Sequence, residues 1–139
     1  MNEETTEPVI ALIDDDTSVL KSVARFLKAS GYQTVLFRSA EEFLADPKHL
    51  RFDCLVVDLQ LGGMSGIELQ EQLTAADVKV PMILMTARDE KDQDSLASRV
   101  HGAALMRKSD PGKELVATLG RLVYRSRHPG NGHRYGGNA

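Results

Sequence analysis

Several large classes of protein are excluded by what this sequence lacks. It has one cysteine, Cys54, among 139 residues, so it can form no internal disulfide. That cysteine sits inside an apolar run, where a thiol is inert, in keeping with a reducing cytoplasm. No apolar run approaches the roughly 18 residues that suggest a membrane span. Neither sign of charge dominates: 17 lysines and arginines stand against 20 aspartates and glutamates, a formal net charge of -3. There is thus no overall electrostatic case for a nucleic-acid or anionic-membrane surface. The first eight residues are acidic and polar, which is not the pattern of a signal peptide. No internal repeat is present.

What the chain does have is an ordinary globular composition, 42% apolar and 27% charged, and enough length for one domain with a sizeable core. Its apolar residues fall into short blocks. Val9-Ile10-Ala11-Leu12-Ile13 and Cys54-Leu55-Val56-Val57 are continuous apolar runs that stop on acids, as buried parallel strands at a sheet edge would. Gln33-Thr34-Val35-Leu36-Phe37, Val80 through Thr86, and Ala103-Ala104-Leu105-Met106-Arg107 read as three more strands. Pro81 is tolerable near the beginning of its strand.

Between the strands the apolar period becomes helical. Val19, Leu20, Val23, Phe26 and Leu27 form one stripe, capped by Asp16 or Thr17 and stopped at Gly31. Ser39-Ala40-Glu41-Glu42 and Ser65-Gly66-Ile67-Glu68 have capping-box spacing. A polar segment over 89–101 is expected to be a looser helix. Asp110-Pro111 fits the start of a last helix with Leu115, Val116, Leu119, Leu122 and Val123 on its stripe. Residues 1–7 and 125–139 read as disordered ends around a domain over 8–124. The arginines of the second end suit a solvated tail or linker, or alternatively a basic contact arm. Five strands alternating with five helices predict an α/β fold: a doubly wound parallel sheet with helices on both faces.

A parallel sheet gathers its strand ends on one edge. Here that edge would carry Asp14 and Asp15 after the first strand, Asp58 after the third, Thr86 after the fourth and Lys108 after the fifth. Each alone has a plain structural explanation: a helix-capping acid, a capping threonine, a solvated lysine. Together they are a chemical set. Two like charges about 5 Å apart cost roughly 3 kcal/mol at an effective dielectric of 20, so clustered carboxylates protonate or take up a cation. Oxygen ligands favour a hard divalent ion, above all Mg²⁺. Carboxylate, cation, lysine and hydroxyl suit phosphoryl transfer, in which a carboxylate can itself be the nucleophile.

This arrangement resembles the receiver domain of bacterial two-component response regulators, which are CheY-like. The resemblance covers residues 8 to 124 and rests on Asp14-Asp15, Asp58, Gly66, Thr86 and Lys108 in that order. It implies a (βα)5 flavodoxin-like fold and a cytoplasmic protein. Asp58 would be the phosphoacceptor, taking its phosphoryl group from a sensor histidine kinase or a His phosphotransfer protein. Asp15 and Asp58 would bind Mg²⁺, with Mn²⁺ as a substitute, while Asp14 acts through water and the backbone carbonyl of Gln60 is a further ligand. Lys108 would pair with Asp58 and then with its phosphoryl group. Thr86 would transmit the change, with Leu105 at the switch position. No enzymatic turnover is implied beyond self-catalysed phosphotransfer and autodephosphorylation. Expected partners are the phosphodonor, a downstream protein and, on phosphorylation, a second copy of the chain; nucleic acid and membrane are not among them. The sequence departs from the family pattern at Gly62 and Ser109, where proline is usual, and at Leu105, where an aromatic is usual.

Two other readings use the same residues. Asp14-Asp15-Asp16-Thr17-Ser18 loosely resembles the nucleophile motif of haloacid-dehalogenase-like phosphatases, with Asp14 as nucleophile, although only Asp110 and Glu114 follow the lysine as later acids. The other is a binding module on the same fold that is never phosphorylated. Fifteen residues after position 124 cannot form a helix-turn-helix unit, so a single-domain regulator is expected.

Overall fold

Five strands run parallel in one sheet: β1 (Val9–Ile13), β2 (Gln33–Phe37), β3 (Cys54–Asp58), β4 (Met82–Thr86) and β5 (Ala103–Arg107). Their order is β2-β1-β3-β4-β5. This is a computed structural model, and it describes residues 7–46, 51–86, 103–107 and 112–128. Four helices lie within those residues: α1 (Thr17–Ala29), α2 (Ala40–Ala45), α3 (Gly66–Ala75) and α4 (Gly112–Arg127). The helix expected over 89–101 and the ends at 1–6 and 129–139 lie outside the described residues. Among the described residues, no helix is long and apolar enough to cross a membrane.

Alternation along the strands divides the core in two. Ala11, Ile13, Leu55, Val57 and Leu84 face Phe43 of α2 and Ile67, Leu69 and Leu73 of α3. Ile10, Leu12, Val56 and Ile83 face Leu20 and Leu27 of α1 and Leu115, Leu119 and Val123 of α4. Both faces are covered, as a parallel sheet requires. β3 is central and buried at every residue, which is why it reads as an unbroken apolar run. β2 is an edge strand and exposes Gln33, Val35 and Leu36. Phe37 meets Phe43 and Phe52 edge-on, with ring centroids 5.4 and 6.0 Å from its own.

Local chemistry sets the helix ends. Asp16 caps α1 by accepting from the N–H groups of Ser18 and Val19. At the other end Gly31 adopts φ +98°. There the Tyr32 N–H donates to the Leu27 carbonyl and the Gly31 N–H to that of Lys28, a Schellman closure. Ser65 and Glu68 form the complete capping box expected of α3. In α2 only half of the expected box is made. Ser39 accepts from the Glu42 N–H, but the Glu42 carboxylate takes the N–H of Arg38, at 2.6 Å, rather than that of Ser39.

Two boundaries differ from expectation. β4 begins at Met82, not Val80. Pro81 has no N–H for the ladder, though its carbonyl still accepts from Leu55 at 3.0 Å. At the C-terminal end, α4 continues through Arg127, although a disordered tail was expected from Arg125. The Arg127 guanidinium holds Asp53 through Nε at 3.1 Å and Nη2 at 3.3 Å. Asp53 also accepts from the Val9 N–H at 2.9 Å. This pair is partly exposed, so it contributes on the order of 1 kcal/mol or less. Each fully buried leucine or valine of the stripe contributes about 1.5–3 kcal/mol. Apolar packing therefore secures α4, and the ion pair sets where it ends.

Gly120 lies exposed within α4, and a Cβ there would meet nothing closer than the Tyr32 hydroxyl at 3.9 Å. Gly120→Ala should raise the unfolding free energy by about 1 kcal/mol, read from urea melts with an unchanged m value. Cys54 is fully buried, and burial pushes its thiol up from 9.0 to about 12, with a backbone hydrogen bond from Leu55 opposing the shift and Asp53 adding to it. Below pH 9 both folded and unfolded chains keep that proton. Between pH 9 and 12 the unfolded chain releases it first, so this thiol's contribution to stability falls with rising pH. At pH 8 the folded protein should resist iodoacetamide while the urea-unfolded chain reacts, and Cys54→Ala should flatten the alkaline loss of stability.

Candidate functional site

The site begins with strand pairing. β1 and β3 are neighbours, and the register sets Ile13 beside Val57. The residues that follow, Asp14 and Asp58, therefore emerge together at the carboxyl edge. The chain winds outward in opposite directions from this pair, the kind of point where open α/β sheets hold ligands. Asp14 is 6% exposed and Asp58 7%, while Asp15 is exposed. One carboxylate oxygen from each of the three lies within 4.8 Å of the others.

Backbone amides orient the two buried acids. Asp14 Oδ1 accepts from the Asp16 N–H at 2.9 Å, and Asp58 Oδ1 accepts from the Gln60 N–H at 3.0 Å. The Asp14 N–H in turn donates to the Phe37 carbonyl of β2 at 3.1 Å. Asp58 pairs in register with Met85, and the Leu59 N–H donates to the Met85 carbonyl at 2.8 Å. Thr86 follows and is fully buried. Beneath the acids an apolar cavity of about 110 Å³ is walled by Leu12, Val56, Met85 and residues of α1 and α4, with Asp14 and Asp58 on its lining. Apolar walls on one side and like charges at the mouth strengthen every interaction of the carboxylates. A hard divalent cation suits this all-oxygen donor set.

The structure thus brings together Asp14, Asp15 and Asp58, and places Thr86 at the end of the strand beside Asp58. Gln60 is exposed two residues after Asp58. Leu105 pairs with Leu84 in β5 and packs, partly buried, against the core beneath α2 and α3. Lys108 and Ser109 lie outside the described residues; β5 ends at Arg107, which pairs with Thr86. Two features of the β3–α3 loop were not anticipated. Glu41 of α2 accepts from the Met64 N–H at 2.9 Å across 23 residues of sequence. Gly66 lies so close to β3 that a Cβ there would sit 2.8 Å from the Asp58 carbonyl oxygen. Glu41 gives no sequence signal beyond that of an acid in a first helical turn.

A description of the response regulator receiver domain family matches residues 10–119. This chain belongs to that family. The receiver domain is 34% identical over 86 residues to the transcriptional regulatory protein FixJ of Bradyrhizobium diazoefficiens, a match covering 62% of this chain and 42% of FixJ. It is 30% identical over 88 residues to nodulation protein W of the same organism, covering 63% of this chain and 39% of that protein. The chain thus spans about two fifths of the length of these relatives. Among solved structures, FixJ-N superposes with a TM-score of 0.74 at 26% identity, covering 86% of this chain and 95% of FixJ-N.

Gly66 gives this site a sharp test. Its Cβ would meet backbone, the Asp58 carbonyl at 2.8 Å and Leu59 Cα at 3.0 Å, and also the Leu84 side chain at 3.2 Å. Backbone at a buried strand end yields poorly, so Gly66→Ala should cost about 1–3 kcal/mol of stability, measured by chemical denaturation.

Proposed function

We propose that this receiver domain accepts a phosphoryl group on Asp58 and changes its protein contacts in response. The observation that carries this reading is the convergence of the Asp14, Asp15 and Asp58 oxygens within 4.8 Å at one sheet edge, in a chain of this family. The donor is a phosphohistidine on a sensor kinase or phosphotransfer protein. An Asp58 carboxylate oxygen attacks phosphorus; the new O–P bond forms as the N–P bond breaks, and its electron pair returns to the imidazole. Asp15 and Asp58 directly, Asp14 through water and the Gln60 carbonyl would hold Mg²⁺, or Mn²⁺ in its place, which would supply neutralising charge there.

The remaining chemistry belongs to side chains. Lys108 pairs with Asp58 and afterwards with the phosphoryl oxygens. The Thr86 hydroxyl turns toward the phosphoryl group, and because Thr86 is fully buried its movement requires neighbours to repack. Leu105, paired with Leu84 two residues back along the same strands, carries that repacking toward the surface of β4 and β5. The phosphoryl group rests on the protein's own side chain until water attacks phosphorus, the Asp58 O–P bond breaks and inorganic phosphate leaves, so the chemistry is limited to self-catalysed phosphotransfer and autodephosphorylation. The downstream partner is a protein, with a phosphorylation-dependent second copy of the chain as one form of it. Relatives such as FixJ bear the name of transcriptional regulator and are longer than the receiver domain.

The test is acetyl phosphate with MgCl2, followed by intact mass. The native protein should gain one phosphoryl group and Asp58→Asn none, while Asp14→Asn should slow uptake without abolishing it. A stable phosphoprotein formed by Asp58→Asn would refute the assignment.

A further inference from the structure

We propose that Glu41 is a positioning residue for the phosphoacceptor loop, holding from α2 the segment that carries the Gln60 carbonyl; this rests on the reading of Asp58 and Gln60 given above. The loop between Asp58 and Ser65 contains adjacent glycines, Gly62 and Gly63, both exposed. Gly63 has φ +78°, and nothing lies within 4 Å of where a Gly62 Cβ would stand. Leu61 is buried in the core and Met64 packs against it, so the Gly62-Gly63 backbone between them is the part that packing leaves least defined, and glycine leaves a backbone with more freedom than any other residue.

Both ends of the loop are secured to the sheet. The Leu59 N–H donates to the Met85 carbonyl at 2.8 Å, and the Gly66 N–H to the Leu59 carbonyl at 3.1 Å. The middle is held from outside. Glu41 Oε2 accepts from the Met64 N–H at 2.9 Å, and it would lie 2.8 Å from a Cβ built on Gly63. The carboxylate thus rests against the bare backbone of Gly63 while holding the next amide. Glycine at 63 is favoured by its left-handed φ, and a Cβ there would push the Glu41 carboxylate aside.

Glu41 is itself held in place. It lies in the first turn of α2, whose start is capped by Ser39 and further tied by Glu42 to the Arg38 N–H. Phe43 of the same helix is fully buried against Phe37. A short helix with a buried anchor therefore presents a charged acceptor to a glycine loop, and charge-assisted bonds to backbone amides are the stronger kind. Gln60 stands between Asp58, whose Oδ1 accepts its N–H, and this tether. When the tether is released the Gln60 carbonyl samples more orientations, so the cation affinity of the site falls while the fold, which does not depend on an exposed bond, is retained.

The experiment compares native protein, Glu41→Ala and Glu41→Gln by three readouts: amide exchange at Met64, Mg²⁺ affinity by calorimetry, and thermal midpoint. In Glu41→Ala the Met64 amide should exchange at least several-fold faster and the Mg²⁺ Kd should rise about threefold to tenfold, with a thermal midpoint within a few degrees of native. Glu41→Gln, which keeps an acceptor without the charge, should fall between. Unchanged Met64 exchange would overturn the tether. A lowered midpoint with unchanged Mg²⁺ affinity would overturn the positioning role and leave a structural brace. Failure of the native protein to bind Mg²⁺ at all, with Met64 still protected through Glu41, would instead overturn the metal reading on which the proposal rests.

Discussion

The pairing of β1 with β3 is the constraint on which the site depends. Neither strand carries the chemistry along its length; both are apolar and buried, and their residues serve the two cores. The acids lie just where burial gives out, at Asp14 and Asp58, and the register Ile13 beside Val57 brings them together. Three carboxylates with oxygens within 4.8 Å of one another repel, and the apolar stripes of α1, α3 and α4 must outweigh that cost. The site is thus held in a state that favours a cation by packing well removed from it.

The loop after Asp58 answers a second constraint. It must leave a central strand, pass the carboxylate and enter α3 within seven residues. Gly66 permits the close return, since any Cβ would strike the Asp58 carbonyl, and Ser65 with Glu68 completes the helix start. Where this family usually has proline in the loop, the chain has Gly62, and rigidity given up there is supplied in part from α2 through Glu41. One stiffening device acts along the chain, the other across space.

Much of the fold was legible because its signals are local. β1, β2, β3 and β5 occupy the expected residues, since continuous apolar runs bounded by acids or glycines admit few other readings. Asp16, Gly31 and the Ser65 box appeared where capping chemistry places them. What was misjudged depended on a partner distant in sequence in one case and on local backbone geometry in another. Arg127 reads as tail until Asp53, 74 residues away, is seen to hold it. Glu42 has the spacing of a capping box, but the extended backbone before Ser39 presents the Arg38 N–H to it instead.

The sequence by itself determined the strand and helix alternation and the residue types at each strand end, because periodicity and turn chemistry act over a few residues. It carried the family resemblance too, since Asp14, Asp15, Asp58, Gly66, Thr86 and Lys108 stand in that order along the chain. Only the tertiary structure decided which strands are neighbours, and therefore that two acids 44 positions apart share one mouth while β2, between them in sequence, lies at the sheet's edge. It also decided that Glu41, an ordinary acid in a helix's first turn, meets the loop that follows Asp58. Strand order and cross-loop contacts are set by global packing of two cores, and no local pattern encodes them.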